Sequence, residues 1–242
     1  MNITYNQGVS PMIKQALILQ NPLRLLGFDN DDALSEGGFG VVCARAGVGK
    51  TALLVQIALN LMLRDKNVLH ISLNDPVDKV TLRYKEVFNN LAKDHDTHQA
   101  EQLWQLVLPH RFIMNFRVEG FSVPKLEERL MDLISQDIFI PQMMIIDGFN
   151  FDESKGQSLS ILKTLAYRQS MMAWFTLRTH RHDHTQPEDM PPSLVPIEDL
   201  FNVVLQLQSE GKDIHVKMLK GAPLAAKASS LSLDPSTMLV KD

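Results

Sequence analysis

The sequence predicts an α/β domain with a mostly parallel central sheet flanked by helices, and three observations carry that reading. Short apolar runs alternate with longer stretches whose apolar residues recur at helical spacing. Several of the runs, such as Val41–Ala44 and Met143–Ile146, are apolar throughout, as strands covered on both faces are. The strand–helix–strand order is that of βαβ units. A length of 242 residues suits one such domain and is short for two. A hydrophobic content of 45% with 21% charged residues excludes wholesale disorder. The net charge of -4 argues against a protein coated in nucleic acid, which needs a concentrated basic face.

Residues 1–36 read as an N-terminal extension packing on the core, with a short helix at Pro11–Leu19. Gly37-Gly38-Phe39-Gly40 then releases the strand Val41–Ala44, and Thr51–Leu63 has helical spacing. Val68–Leu73 is a second strand, and Pro76 is placed to open a helix running to about Ala92. Asp94–Glu101 is polar and is expected to loop out, and Phe112–Val118 alternates like a strand. Ser122 is a good cap, with Pro124 just inside a helix to about Ser135. Met143–Ile146 is a strand ending in Asp147, Ser158–Gln169 a helix and Met171–Leu177 another strand. Residues 181–196 are Pro-rich and loop-like. Val203–Leu207 and Ile214–Met218 flank Ser209-Glu210-Gly211-Lys212 as an antiparallel hairpin near the C-terminus. The core domain is set at 37–222, and 223–242 is expected to be a loose tail.

No run approaches the length of a membrane span, so none is expected. The opening Met1–Lys14 lacks a basic stretch joined to an apolar core, so no signal peptide is read there. The single cysteine, Cys43, rules out an internal disulfide or a multi-cysteine metal cluster. A reducing cytoplasm is the compartment expected from these features.

Ligands of open parallel sheets gather at the carboxyl ends of the strands, and the informative residues fall there. Ala44-Arg45-Ala46-Gly47-Val48-Gly49-Lys50-Thr51 fits the Walker A phosphate loop, with Ala in place of the first Gly. Small residues let successive backbone N–H groups turn inward onto phosphate oxygens, and the helix that follows adds its positive end. Lys50 is placed to reach the β- and γ-phosphates, and Thr51 to offer its hydroxyl to Mg2+. The octet follows a buried strand and opens an amphipathic helix, so it is more than a Gly-rich turn. Such a loop requires a second carboxylate at the end of another buried strand, and Met143-Met144-Ile145-Ile146-Asp147 supplies it. A nucleotide and Mg2+ are therefore the expected cofactors at this loop.

The octet, followed by Ile71-Ser72-Leu73-Asn74-Asp75-Pro76 and Leu82-Arg83, resembles the RecA-type P-loop ATPases, nearest the DnaB-type replicative helicase motor and the KaiC-type ATPases. The resemblance implies ATP as the nucleotide, and its hydrolysis by a homo-oligomer that completes its sites at subunit boundaries. It also marks three departures. In the helicases the second strand ends in Ser-Leu-Glu, and the Glu activates water; here Asn74 stands in its place, and an amide cannot accept the proton. Asp75 matches the second of two adjacent KaiC-type glutamates, and is either a base or a cap for the next helix. The trans-acting Lys-x-Arg pair aligns with Lys217-Met218-Leu219, which keeps the Lys and replaces the Arg by Leu219; Lys217 and Lys220 also read as solvated hairpin lysines. The Ser-Gln phosphate sensor is replaced by Leu177-Arg178-Thr179-His180, where Arg178 could contact phosphate and Thr179 or His180 could act as the polar sensor.

Other features are weaker. His180, His182 and His184 alternate as metal ligands could, or leave a strand into a loop. Phe149 and Phe151 are read as packing under the sheet rather than stacking on a base, Tyr84 as helix surface or core, and the many methionines as sheet core. The acidic, Pro-rich loop 186–192 counts against a DNA channel. The expected function is an ATP-binding protein with weak or partner-dependent hydrolysis. A non-hydrolysing switch or assembly subunit is the alternative, and a DNA helicase or recombination accessory the second.

Overall fold

The computed structural model describes residues 11–28, 33–117, 120–151, 156–179, 190–221 and 231–241. Among these residues an eight-stranded sheet is formed: β1 (Phe39–Ala44), β2 (Val68–Ser72), β3 (Arg111–Asn115), β4 (Met143–Asp147), β5 (Met172–Arg178), β6 (Val203–Glu210), β7 (Asp213–Lys220) and β8 (Leu231–Leu233). Its order is β3-β2-β4-β5-β1-β6-β7-β8. The pairs from β3 through β6 are parallel, and β6, β7 and β8 pair antiparallel, so the expected fold class holds. One strand, β5, separates β1 from β4, so the phosphate loop and Asp147 leave the sheet on either side of Arg178.

Strand periodicity divides the apolar residues between two cores. Val42 and Trp174 face one side, with α1 (Pro11–Leu19), α3 (Lys50–Leu63), α4 (Val77–Leu91) and α5 (Thr97–Val107); Val41, Cys43 and Phe175 face the other, with α6 (Val123–Ser135) and α7 (Gly156–Arg168). Every residue of α3 from Ala52 to Leu63 is buried, which is why its sequence is apolar nearly all round. Its outer side is covered by the N-terminal segment. Asn21 caps α2 (Pro22–Leu25) by accepting from the Leu23 amide at 3.1 Å, and its own amide donates to Asn60 of α3 at 3.2 Å. Gly40 faces Trp174 across β1 and β5, and a Cβ there would lie 2.6 Å from the indole, so only glycine lets the two strands carry that ring.

Two stretches differ from the sequence expectation. Asp94–Glu101 is not a loop throughout: Asp96 caps α5 by accepting from the Gln99 amide at 2.9 Å. The apolar face of α5 (Leu103, Trp104, Val107) begins only after a polar first turn, so periodicity alone starts the helix too late. Residues 231–241, placed in a loose tail, instead pack on the sheet: β8 pairs with β7, and Leu233 bridges to Val240. Their apolar content is too short for a periodic signal, and the partner strand supplies the order. Phe149 and Phe151 are buried among Phe175 and Phe201, as expected of packing residues. Met143, Met144 and Met171 are core. Cys43 is fully buried in β1, and burial raises its thiol pKa well above the ordinary range. His180, His182 and His184 lie outside the described residues, and among those described no helix is long and apolar enough to cross a membrane.

Tyr84 is fully buried, and its hydroxyl lies 3.1 Å from Nδ1 of His70 in β2. Burial holds the His70 pKa down to about 4, with Arg111 lowering it and Asp147 and Asp75 pulling the other way. The folded protein therefore refuses a proton that the unfolded chain accepts below about pH 6.5. Between pH 6.5 and 4 the unfolding free energy is expected to fall on acidification, by up to about 1.4 kcal/mol per pH unit from this group alone. Denaturant titrations of the wild type and His70→Asn across this range measure it. The slope should flatten in the variant, and an unchanged slope would assign the acid sensitivity elsewhere.

Candidate functional site: a phosphate loop with a clamped carboxylate

Residues 44–51 link β1 to α3 at the carboxyl edge of the sheet. Gly47 (φ 79°) and Gly49 (φ 100°) hold left-handed backbone that other residues adopt with strain, and this curls the loop around its own amides. Gly49 is the N-cap of α3 and has no side chain to satisfy the first helical N–H groups, which are left for an anion. Lys50 folds back over the loop, donating to the carbonyls of Ala44 (3.0 Å) and Arg45 (2.9 Å). Burial lowers its pKa, while Asp147 raises it and Arg178 lowers it.

Asp147 ends β4 with both carboxylate oxygens engaged. Thr51 donates its hydroxyl to Oδ2 at 2.8 Å, and Thr176 of β5 donates to Oδ1 at 2.7 Å. The Thr176 oxygen in turn accepts the Gly148 amide at 2.9 Å, which fixes the turn after β4. Beneath them, the buried Nε2 of His70 stands 4.0 Å from Asp147 Oδ2 and has no hydrogen-bond partner among the described residues. Thr51 and Asp147 present hard oxygen donors side by side, the chemistry that Mg2+ selects.

The structure brings several of the sequence-derived residues to this edge. Arg178 sits at the end of β5 in register with Ala44. The Asn74 amide lies against Gly148: a Cβ there would be 2.1 Å from its Nδ2, so Asn74 reaches the turn that follows Asp147. Asp75 does not cap α4; Pro76 occupies the N-cap, and the Asp75 carboxylate instead accepts from Lys79 one turn on, at 2.7 Å. The Ser72 hydroxyl holds this turn by accepting the Asp75 amide at 3.0 Å and donating to its carbonyl at 2.7 Å. The Lys217 ammonium lies 3.9 Å from Glu210 across the β6–β7 hairpin. Leu219 packs against the second core, and Lys220 donates to the Glu198 carbonyl at 2.8 Å.

Thr176 was not singled out from the sequence. Its signal is a lone hydroxyl in the apolar run Met172–Leu177, two residues before Arg178, and only strand order reveals that it adjoins Asp147.

Against known families, residues 32–177 match the AAA domain, a stretch that takes in the phosphate loop, Asp147 and Thr176. No curated protein matches the chain. A match over more than half of the sequence, on the segment that builds the loop and its clamped carboxylate, shows that the chain belongs to the AAA domain family of P-loop ATPases.

Proposed function

We propose that the protein binds ATP with Mg2+ on this loop and hydrolyses it weakly, or only when a partner completes the site. The observation that carries the reading is the 2.8 Å bond between Thr51 and Asp147 beside the glycine-rich loop. The loop amides and the start of α3 bind phosphate oxygens. Lys50 exchanges its two carbonyl acceptors for the β- and γ-phosphates. Thr51 and Asp147 would hold Mg2+, with Thr176 orienting the carboxylate from behind through its hydroxyl. When bound, the ion supplies charge neutralisation at the terminal phosphates. Arg178, in register with Ala44 at the end of β5, is the candidate for a phosphate contact from within the chain.

The proton-accepting group is the weak point. Asn74 can orient a water but cannot take its proton, and the Asp75 carboxylate is engaged by Lys79. Loss of general-base help costs on the order of 10²–10⁴ in rate. The RecA-type resemblance argues for a homo-oligomer joined through the nucleotide sites, with DnaB-type and KaiC-type proteins as relatives; a protein partner and a cytoplasmic setting complete the reading. A non-hydrolysing switch or assembly subunit is the second reading, favoured by Leu219 lying against the core at the place where the resemblance sets an arginine. A DNA helicase or recombination accessory has the least support, since residues 186–192 are acidic and Pro-rich in sequence.

ATP with Mg2+ at about a hundred times its Kd should add roughly 2.7 kcal/mol of stability, a rise of several degrees in Tm for a chain of this size. In Lys50→Ala the rise should vanish, as read by thermal melts. Phosphate release should exceed that of the Lys50→Ala blank, and turnover equal to the blank would select the switch.

Thr176→Val leaves Asp147 Oδ1 and the Gly148 amide short of a partner. It is expected to cost about 1–3 kcal/mol of stability and to weaken the Mg2+-dependent part of ATP affinity about 10–100-fold. Titrations with and without Mg2+ separate the two effects, and an unchanged Mg2+ dependence would remove Thr176 from the site.

A further inference from the structure

The segment after β8 folds back over α3 as a tight hairpin. Its tip is built on Asp234, whose Oδ1 accepts the Ser236 amide (2.7 Å), the Ser236 hydroxyl (2.5 Å) and the Thr237 amide (3.3 Å). The tip is moored to two helices: Gln56 of α3 donates to the Met238 carbonyl at 2.5 Å, and Asn90 of α4 donates to that of Thr237 at 3.4 Å. Met238 itself has φ 61°, a left-handed backbone that costs a non-glycine residue of order 1 kcal/mol and persists only where the surroundings impose it. That conformation sets its side chain on the phosphate loop. A Cβ built on Gly49 would lie 1.7 Å from the Met238 methyl and 2.9 Å from its sulfur.

Behind Met238 lies a cavity of about 380 Å3, walled by Ala52 at the start of α3, by Arg83, Val87 and Asn90 of α4, and by Ser236 and Thr237 of the tip. Lys50, Thr51 and Asp147, which mark the metal and terminal-phosphate end, do not line it. Ala52, the residue directly after Thr51, does. A nucleotide with its terminal phosphates at Lys50 and Thr51 has to send its sugar and base away from them, and this cavity adjoins the loop on the flank covered by Met238. A planar base needs apolar contact on its faces and polar groups at its edge. The methionine supplies an unbranched, polarisable side chain suited to aromatic rings, and the asparagine, serine and threonine, with Arg83 paired to Glu86 at 3.5 Å, supply the polar rim.

From this arrangement we infer that the C-terminal hairpin tip, Asp234–Met238, forms with α4 the subsite for the nucleoside half of the bound nucleotide, and that Met238 is its apolar wall. The inference rests on the nucleotide-binding reading above and deepens it, since the loop alone grips any triphosphate.

Binding of Mg2+–ATP and of Mg2+–tripolyphosphate to the full chain, measured by calorimetry, separates the two. In Met238→Ala, ATP affinity should fall about five- to tenfold, the scale of one sulfur–aromatic contact, while tripolyphosphate affinity stays within about twofold. Met238→Leu, close in volume, should bind ATP more tightly than Met238→Ala. Unchanged ATP affinity in Met238→Ala overturns the subsite; so does a parallel loss of both ligands, which would make Met238 a support of the loop. Tighter ATP binding in that variant also overturns it, by marking the methionine as a plug. If wild-type protein binds neither ligand, the nucleotide reading fails first and takes the subsite with it.

Discussion

The Asp147 carboxylate is the constraint on which the site depends. A strand-end carboxylate beside a lysine and an apolar strand would be costly if left without partners. Here each oxygen accepts a hydroxyl, one from the loop helix and one from the neighbouring strand, so a single side chain ties β4, β5 and α3 together. The same carboxylate is the one proposed to hold Mg2+. Structural satisfaction and ligand readiness are one arrangement at this position, and substitution on either side disturbs both.

The parallel sheet makes that convergence possible. With β5 inserted between β1 and β4, the loop, Arg178 and Asp147 emerge from three adjacent strands in one row. Asn74 leaves the next strand over and closes the row against Gly148. The antiparallel extension on the other edge serves a different purpose. It carries the chain from β6 through β8 and returns it over α3, so that residues far apart in sequence meet at Gly49.

Much of this was legible from residue types. The octet 44–51 and Asp147 announce their chemistry because phosphate binding tolerates few substitutes: small residues for the curl, a lysine, a hydroxyl and a carboxylate. The buried strands were legible because covered strands are apolar without interruption. What escaped depends on tertiary neighbours. Thr176 looks like an ordinary β-strand threonine until strand order sets it beside Asp147. Asp75 and Lys79 form a pair at helical spacing, which competes with the capping suggested by position alone. Met238 carries no local signal; its importance arises from a left-handed backbone and a contact across nearly two hundred positions.

One further consequence follows from where the lone thiol lies. Cys43 occupies β1 one residue before the phosphate loop and is fully enclosed, with its proton held tightly by burial. Oxidants and alkylating reagents meet no thiolate there while the sheet is closed, so the grip on phosphate is insulated from the redox state of its surroundings. The sulfur becomes reactive only when the central strands part, which makes its rate of labelling a native clock for the opening of the sheet's middle, with no probe introduced.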